Sequence, residues 1–145
     1  MTAKDGSLYS TALFASLAEM EKSWGHIDDS NGGENVRTDY HHMLVKKDPE
    51  ITNGVSSQLG AYRVEFLDNP ELIAKYRKLR KAFAVLEIHP AQNVGAELKI
   101  EVSVSYFSYR KGKAAFALSD WSDVNFRYDC EKQAFLVSAV DLGGI

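Results

Sequence analysis

The stretch Leu98-Lys99-Ile100-Glu101-Val102-Ser103-Val104-Ser105-Tyr106 decides the fold, because apolar and polar side chains alternate along it without interruption. A period of two is expected for a β-strand that buries one face and exposes the other. Such a strand needs neighbouring strands and a layer that covers its apolar face. The stretch therefore predicts a sheet with other elements packed against it.

The last third of the chain continues this pattern as four strands joined by short turns. Polar residues interrupt the alternation of the third strand near Asp120-Trp121-Ser122, and we expect a bulge there that bends the sheet. The last strand is apolar on both faces, so we expect it to be central in the sheet or covered on both faces. The predicted strands cover residues 83–89, 98–109, 114–128 and 134–142.

Two helices and two shorter strands are predicted before this meander. Leu13, Leu17 and Met20 recur at helical spacing within residues 8–24, and Asn69-Pro70-Glu71 is a favourable start for a helix over residues 69–81. The short strands are expected at 36–46 and 61–67, with 48–59 as a loop. The pattern predicts one α+β domain over residues 1–145, with both helices packed on a curved antiparallel sheet.

Composition sets limits on the class of protein. The chain has 145 residues, of which 45% are hydrophobic and 26% charged, with a net charge of −3; these are ordinary values for a globular domain. No apolar run approaches the length of about 20 residues that spans a bilayer. Cys130 is the only cysteine, and the N-terminus lacks the features of a signal peptide. We expect a cytoplasmic protein that binds neither nucleic acid nor membranes.

The element order resembles the cystatin-like and NTF2-like α+β folds, in which a helix lies in a strongly curved antiparallel meander. The resemblance depends on the long strands at 98–109 and 114–128 and on no sequence motif. The fold class that it implies includes small-molecule isomerases and hydrolases, ligand carriers and dimeric adaptors, so it gives only a prior for function.

An apolar cavity between the first helix and the concave sheet face is the main candidate site, with five aromatic residues predicted to bind a small apolar ligand. Asp39, Glu65 and Asp120 are the acids closest to strand interiors, and Tyr40 or Tyr106 could donate hydrogen bonds beside them. The alternative is that the aromatic residues fill the core. The predicted ligand-binding residues are Trp24, Tyr40, Tyr62, Tyr106 and Trp121, and Phe66 and Phe116 could also line the cavity.

Weaker catalytic candidates are Asp39, His41 and Asp120. Asp39 and His41 would share one strand face as a carboxylate–imidazole pair, whereas His41 and His42 would point to opposite faces and could not chelate one metal ion. No metal site and no cofactor are predicted, because no catalytic, metal or nucleotide motif is present. The basic residues of the second helix are interpreted as a solvated face.

Two functions follow from these patterns. The first is a binding or interaction module that dimerises through its sheet, where Ser103, Ser105 and Phe107 are expected on an exposed face, and that holds a small apolar ligand. The alternative is a cofactor-independent small-molecule isomerase or hydrolase that uses a cavity carboxylate.

Overall fold

The computed structural model of the protein describes residues 5–24, 27–28, 37–38 and 40–144, with side chains at 8–23 and 40–144. This part of the chain folds as α+β, with three helices and ten strands. In chain order they are α1 (Asp5–Trp24), β1 (Ile27–Asp28), β2 (Arg37–Thr38), β3 (His42–Lys46), α2 (Pro49–Thr52), β4 (Gln58–Leu59), β5 (Tyr62–Leu67), α3 (Asn69–Leu79), β6 (Phe83–Ile88), β7 (Gln92–Val94), β8 (Glu97–Arg110), β9 (Lys113–Asp129) and β10 (Ala134–Gly144).

The main sheet is mixed, which corrects the expectation of an antiparallel sheet. Its strand order is β10-β9-β8-β6-β3-β5-β4, with β7 also paired to β8, while β1 and β2 form a separate pair. Strand β3 runs parallel to both of its neighbours, β5 and β6. Parallel neighbours need crossover connections, and here α2 and α3 lie in the segments that connect them.

The predicted four-stranded meander is present as β6, β8, β9 and β10, each antiparallel to the next. The expectation that the last strand is central or covered on both faces is wrong, because β10 is an edge strand of the sheet and exposes Leu136 and Val137.

The register between β8 and β9 shifts once, and the register between β9 and β10 shifts at Ser138. Val104 pairs with Asp120 and Ser105 pairs with Leu118, so Ser119 is an extra residue in β9. The shift lies directly before the predicted bend.

The predicted strand at 36–46 is wrong, because the chain turns at Tyr40 and His41 and β3 begins only at His42. The sequence pattern placed Tyr40 and Leu44 on one face of a continuous strand. In the structure, the turn separates them: Tyr40 packs under α1, and Leu44 packs on the opposite side of the sheet.

Residues 48–59, predicted as a loop, contain the short helix α2. Asp48 is its N-cap and accepts a hydrogen bond from the backbone N–H of Glu50, and Pro49 occupies the first helical turn. Helix α3 begins with a capping box. The Asp68 carboxylate accepts a hydrogen bond from the backbone N–H of Glu71, and the Glu71 carboxylate accepts one from the backbone N–H of Asp68.

Helix α1 covers one face of the sheet and forms the larger core. Leu13, Leu17 and Met20 are fully buried there, and burying a side chain of this size contributes about 1.5–3 kcal/mol. The hydroxyl of Ser16 donates a hydrogen bond to that of Ser122 at 3.1 Å, which fixes α1 on β9. The sheet residues beneath α1 include Met43, Val45, Val64, Leu86, Ile100, Val102, Val104, Val124 and Phe126.

Helix α3 covers the opposite face and forms a second, smaller core around Phe107. Leu72 and Tyr76 of the helix pack with Phe83 and Val85 of β6. Ser103, Ser105 and Phe107 are only 3%, 7% and 0% exposed, so the expected open dimer face is buried within the subunit. Side chains on the two faces alternate as predicted, but both faces have covering helices.

No helix among the described residues combines the length and the apolar character needed to cross a bilayer.

Replacing Phe107 by Ala should lower the free energy of unfolding by about 3–5 kcal/mol, because the change leaves a cavity between α3 and the sheet. Leu79→Ala is the control on the same helix, since Leu79 is 42% exposed, and should change stability by less than about 0.5 kcal/mol. Urea unfolding followed by circular dichroism measures both. Equal, small effects would show that α3 does not pack on Phe107 as described.

Candidate functional site

Tyr40 lies deep under the second half of α1 and carries the most unusual polar group on this face. Its side chain is 1% exposed. Burial raises the pKa of Tyr40 well above its ordinary value, and the nearby Asp120, Tyr106 and Glu21 add to the shift. The hydroxyl is therefore a protonated hydrogen-bond donor at neutral pH.

Within the described part of the chain, the hydroxyl of Tyr40 is fully buried and has no hydrogen-bond partner. A buried polar group without a partner destabilises a fold by about 1–3 kcal/mol. A phenylalanine would fill almost the same space without this penalty. Packing therefore explains the ring of Tyr40 but does not explain its hydroxyl.

The register shift in β9 brings Asp120 to the same face. Because Ser119 is an extra residue, Asp120 pairs with Val104 and lies on the α1 side of the sheet. The Ser119 hydroxyl donates a hydrogen bond to Oδ2 of Asp120 at 2.7 Å. On β10, a Cβ at Gly144 would lie 2.6 Å from the other carboxylate oxygen, so glycine leaves room for this side chain.

A second set of polar groups links α1 to the turn before β3. The carboxylate of Glu21 accepts hydrogen bonds from the hydroxyl of Tyr62 at 2.8 Å and from Nε2 of His41 at 2.6 Å. The other ring nitrogen of His41 lies 3.2 Å from the carbonyl oxygen of Ala61, and the ring stacks on Tyr62. Since both oxygens only accept, the imidazolium is the form of His41 that makes both bonds.

The structure brings only some of the predicted site residues together. Tyr40, Tyr62, Tyr106 and Asp120 come together on the α1 side, with Tyr106 and Asp120 half-buried at its margin. Asp39 and the side chain of Trp24 lie outside the described residues. His41 is on the same side, where Glu21 is its carboxylate partner.

Trp121 was placed in the cavity by the sequence pattern, and the structure puts it on the opposite face. The extra residue Ser119 that directs Asp120 towards α1 turns its neighbour Trp121 away. The indole lies over Gly143, where a Cβ would come within 2.4 Å of the ring. Phe116 is also on that face and packs with Phe107.

Glu65 is another correction, because it is exposed and shares the face of Leu44, with Nε2 of His42 4.0 Å from its carboxylate. Glu21 is the residue that sequence reasoning missed. It follows Met20 of the apolar stripe, and an acid flanking the buried face of a helix was the available signal.

A pocket of about 500 Å³ opens beside the turn of the β9–β10 hairpin, at the opposite end of these strands from Asp120 and Gly144. It is lined by residues 127–131 and 136–138, which include the exposed Cys130 but none of the predicted site residues. No group of three or more histidine, cysteine or acidic side chains in the described ranges could hold a metal ion.

No protein-family model, curated protein or solved structure matches the chain. The resemblance to the cystatin-like and NTF2-like folds therefore stays a prediction from element order.

Tyr40→Phe should leave the free energy of unfolding unchanged or raise it by about 1 kcal/mol, because it removes a buried donor that has no acceptor. Tyr62→Phe is the matched control and should lower it by about 1.5 kcal/mol, since its hydroxyl bonds to the Glu21 carboxylate. Denaturant unfolding measures both. A loss in Tyr40→Phe as large as that in Tyr62→Phe would show that the Tyr40 hydroxyl stabilises the fold.

Tyr62 should ionise late. Burial, followed by the hydrogen bond to Glu21 and its charge, raises the pKa of Tyr62 from 10.0 to about 12. The unfolded chain loses this proton first, so the stabilisation linked to Tyr62 is complete below pH 10 and is lost as the pH rises through about 12. Phenolate absorbance should show a late-ionising group that is missing in Tyr62→Phe. A titration unchanged by the substitution would contradict the assignment.

Proposed function

We propose that this protein is a small-molecule-binding domain whose ligand contacts Tyr40, Tyr106 and Asp120 between α1 and the sheet. The observation that supports this proposal most directly is the buried, protonated Tyr40 hydroxyl with no hydrogen-bond partner in the described residues. Apolar sites with a few convergent polar groups are typical of small-molecule binding. A ligand oxygen that accepts from Tyr40 would remove the energetic penalty of the buried donor.

The surrounding groups limit the chemistry of the ligand. Asp120 and Glu21 place negative charge near the Tyr40 hydroxyl, so an anionic ligand would be repelled. The neighbouring core residues are apolar, which favours a ligand with an apolar body. The ligand class is therefore a neutral, mainly apolar molecule with one carbonyl, ether or hydroxyl oxygen. Half-buried Tyr106 and Asp120 mark the side from which it would enter.

The proposal is tested with a panel of neutral ketones and alcohols alongside their carboxylated analogues. Some of the neutral compounds should raise the melting temperature in a concentration-dependent manner, because a ligand that binds only the folded state stabilises it. Tyr40→Phe should weaken their binding about tenfold. Tyr128→Phe, at an exposed tyrosine of β9, should leave it unchanged. Preference for the carboxylated analogues, or equal binding by the Tyr40→Phe and Tyr128→Phe variants, would contradict the proposal.

A second function, a cofactor-independent isomerase or hydrolase, is favoured by the carboxylate of Asp120 beside the protonated hydroxyl of Tyr40. In an isomerisation, Asp120 would remove a proton from the carbon next to a substrate carbonyl. Tyr40 would donate a hydrogen bond to the carbonyl oxygen as it gains negative charge. The protonated Asp120 would then return the proton to a different carbon, leaving the enzyme unchanged.

Exchange of carbon-bound protons of ligand ketones with deuterated water, followed by NMR, distinguishes this enzyme from a carrier. An enzyme should catalyse exchange, and Asp120→Asn should abolish it while binding persists. Gly144→Ala should slow exchange with little loss of stability, because its methyl group displaces the Asp120 carboxylate. Bound ketone without exchange in the wild-type protein would leave only the binding function.

The homodimer and the cytoplasmic location stay predictions from the sequence. The dimer surface must differ from the one first considered, because Phe107 and its neighbours on β8 are buried beneath α3 and adjoining side chains.

A further inference from the structure

The face of the molecule that carries α3 has a concentrated positive charge. Five basic residues come from α3 and the two residues after it. Three more come from the β8–β9 hairpin, one each from the end of β8, the turn and the start of β9. Seven of the eight are exposed, and Lys75 is partly buried. We call this set the basic surface: Lys75, Arg77, Lys78, Arg80, Lys81, Arg110, Lys111 and Lys113.

Two tyrosines join the helix to the turn. Nε of Arg110 donates a hydrogen bond to the hydroxyl of Tyr76 on α3 at 3.2 Å. In the other direction, the guanidinium of Arg77 lies over the ring of Tyr109 on β8, 5.3 Å from its centre. The two basic segments are 29 or more residues apart in sequence, from 81 to 110, and these contacts unite them into one surface.

The charge of this surface is not balanced locally. Residues 72–86 and 102–119 contain no acid at all, and the ion pairs formed among the described residues involve other groups. The whole chain is nevertheless acidic, with a net charge of −3. The charges are therefore segregated, and a segregated cationic patch produces a local potential that attracts polyanions.

Two of the cations occupy backbone positions where folding alone would favour a different residue. Arg80 ends α3 with φ of 57°, and Lys111 begins the turn with φ of 52°. Glycine or asparagine is the usual residue in this left-handed region, and other side chains are disfavoured there by about 1 kcal/mol. Exceptions to local preference are expected at functional sites.

We propose that the basic surface binds the phosphodiester backbone of a nucleic acid without regard to base sequence. Arginine and lysine contacts to successive phosphates supply affinity of this kind. An anionic membrane fits less well, because it is usually engaged by an apolar helix face. That face of α3 is buried through Leu72 and Tyr76, and Leu79 is the large apolar side chain that α3 exposes.

The tertiary structure changes the interpretation of these residues. From the sequence, the basic residues of the second predicted helix, which is α3 in the structure, were interpreted as a solvated face. The fold adds three cations from the β8–β9 hairpin to this cluster and places Tyr109 under Arg77. The site is on the opposite side of the sheet from Tyr40, so it is independent of the proposed ligand site.

Fluorescence anisotropy with labelled single- and double-stranded oligonucleotides of about 20 nucleotides, at about 50 mM salt, tests the proposal. The wild-type protein should bind, with affinity that falls steeply as salt is added. The triple variant Lys78→Gln, Lys81→Gln and Lys113→Gln should weaken binding about tenfold or more and reduce the salt slope by about 2.

The matched control is the triple variant Arg63→Gln, Arg127→Gln and Lys132→Gln, which removes the same charge from exposed positions elsewhere. It should retain binding within about twofold. Equal loss in the two triple variants would show a general charge effect and overturn the site. No binding by the wild-type protein would overturn it too, as would binding to vesicles with anionic lipids without binding to either oligonucleotide.

Discussion

The packing of α1 on the sheet is the constraint on which the rest of the structure depends. Three large side chains of α1 are fully buried, and the bond between Ser16 and Ser122 sets the position of the helix relative to β9. Neither serine could be buried cheaply without the other, because each would lose its water partners. Once α1 is fixed, Glu21 in its second half must lie near Tyr40, His41 and Tyr62. The candidate site is a consequence of this docking.

One extra residue decides which side chains meet at that site. If β9 kept Ser119 in regular alternation, without the register shift, Asp120 would lie with Phe116 and Leu118 on the α3 side, and Trp121 would lie under α1. The shift instead places the Asp120 carboxylate near Tyr40 and Tyr106, and it leaves the Trp121 indole over Gly143. Sheet irregularities are common next to functional sites because they redirect side chains in this way. The polar character of this part of the α1 face therefore derives from a backbone feature.

The two faces of the sheet have different chemical characters. The α1 side combines a large apolar core with a few converging acidic and phenolic groups, which suits a neutral small molecule. The α3 side carries a smaller aromatic core under a surface dense in arginine and lysine. Because the sheet separates them, a ligand on one side and a polyanion on the other could be bound together. Coupling between such sites would require a change in the strands that they share.

The sequence by itself determined the strands of the meander, the approximate extent of both longer helices and the α+β class, because periodicity records which faces are buried. It also predicted Tyr40, Tyr62, Tyr106 and Asp120 as site residues, and the structure brings these four to the α1 side of the sheet. Only the tertiary structure decided the parallel pairing of β3, the turn that moves Tyr40 into the core, and the face on which Trp121 lies. The first two features depend on contacts between distant segments, which leave no periodic signal in the chain. The interrupted alternation predicted a bulge, but the face of Trp121 depends on which residue is the extra one, and only the pairing of β8 with β9 shows that it is Ser119.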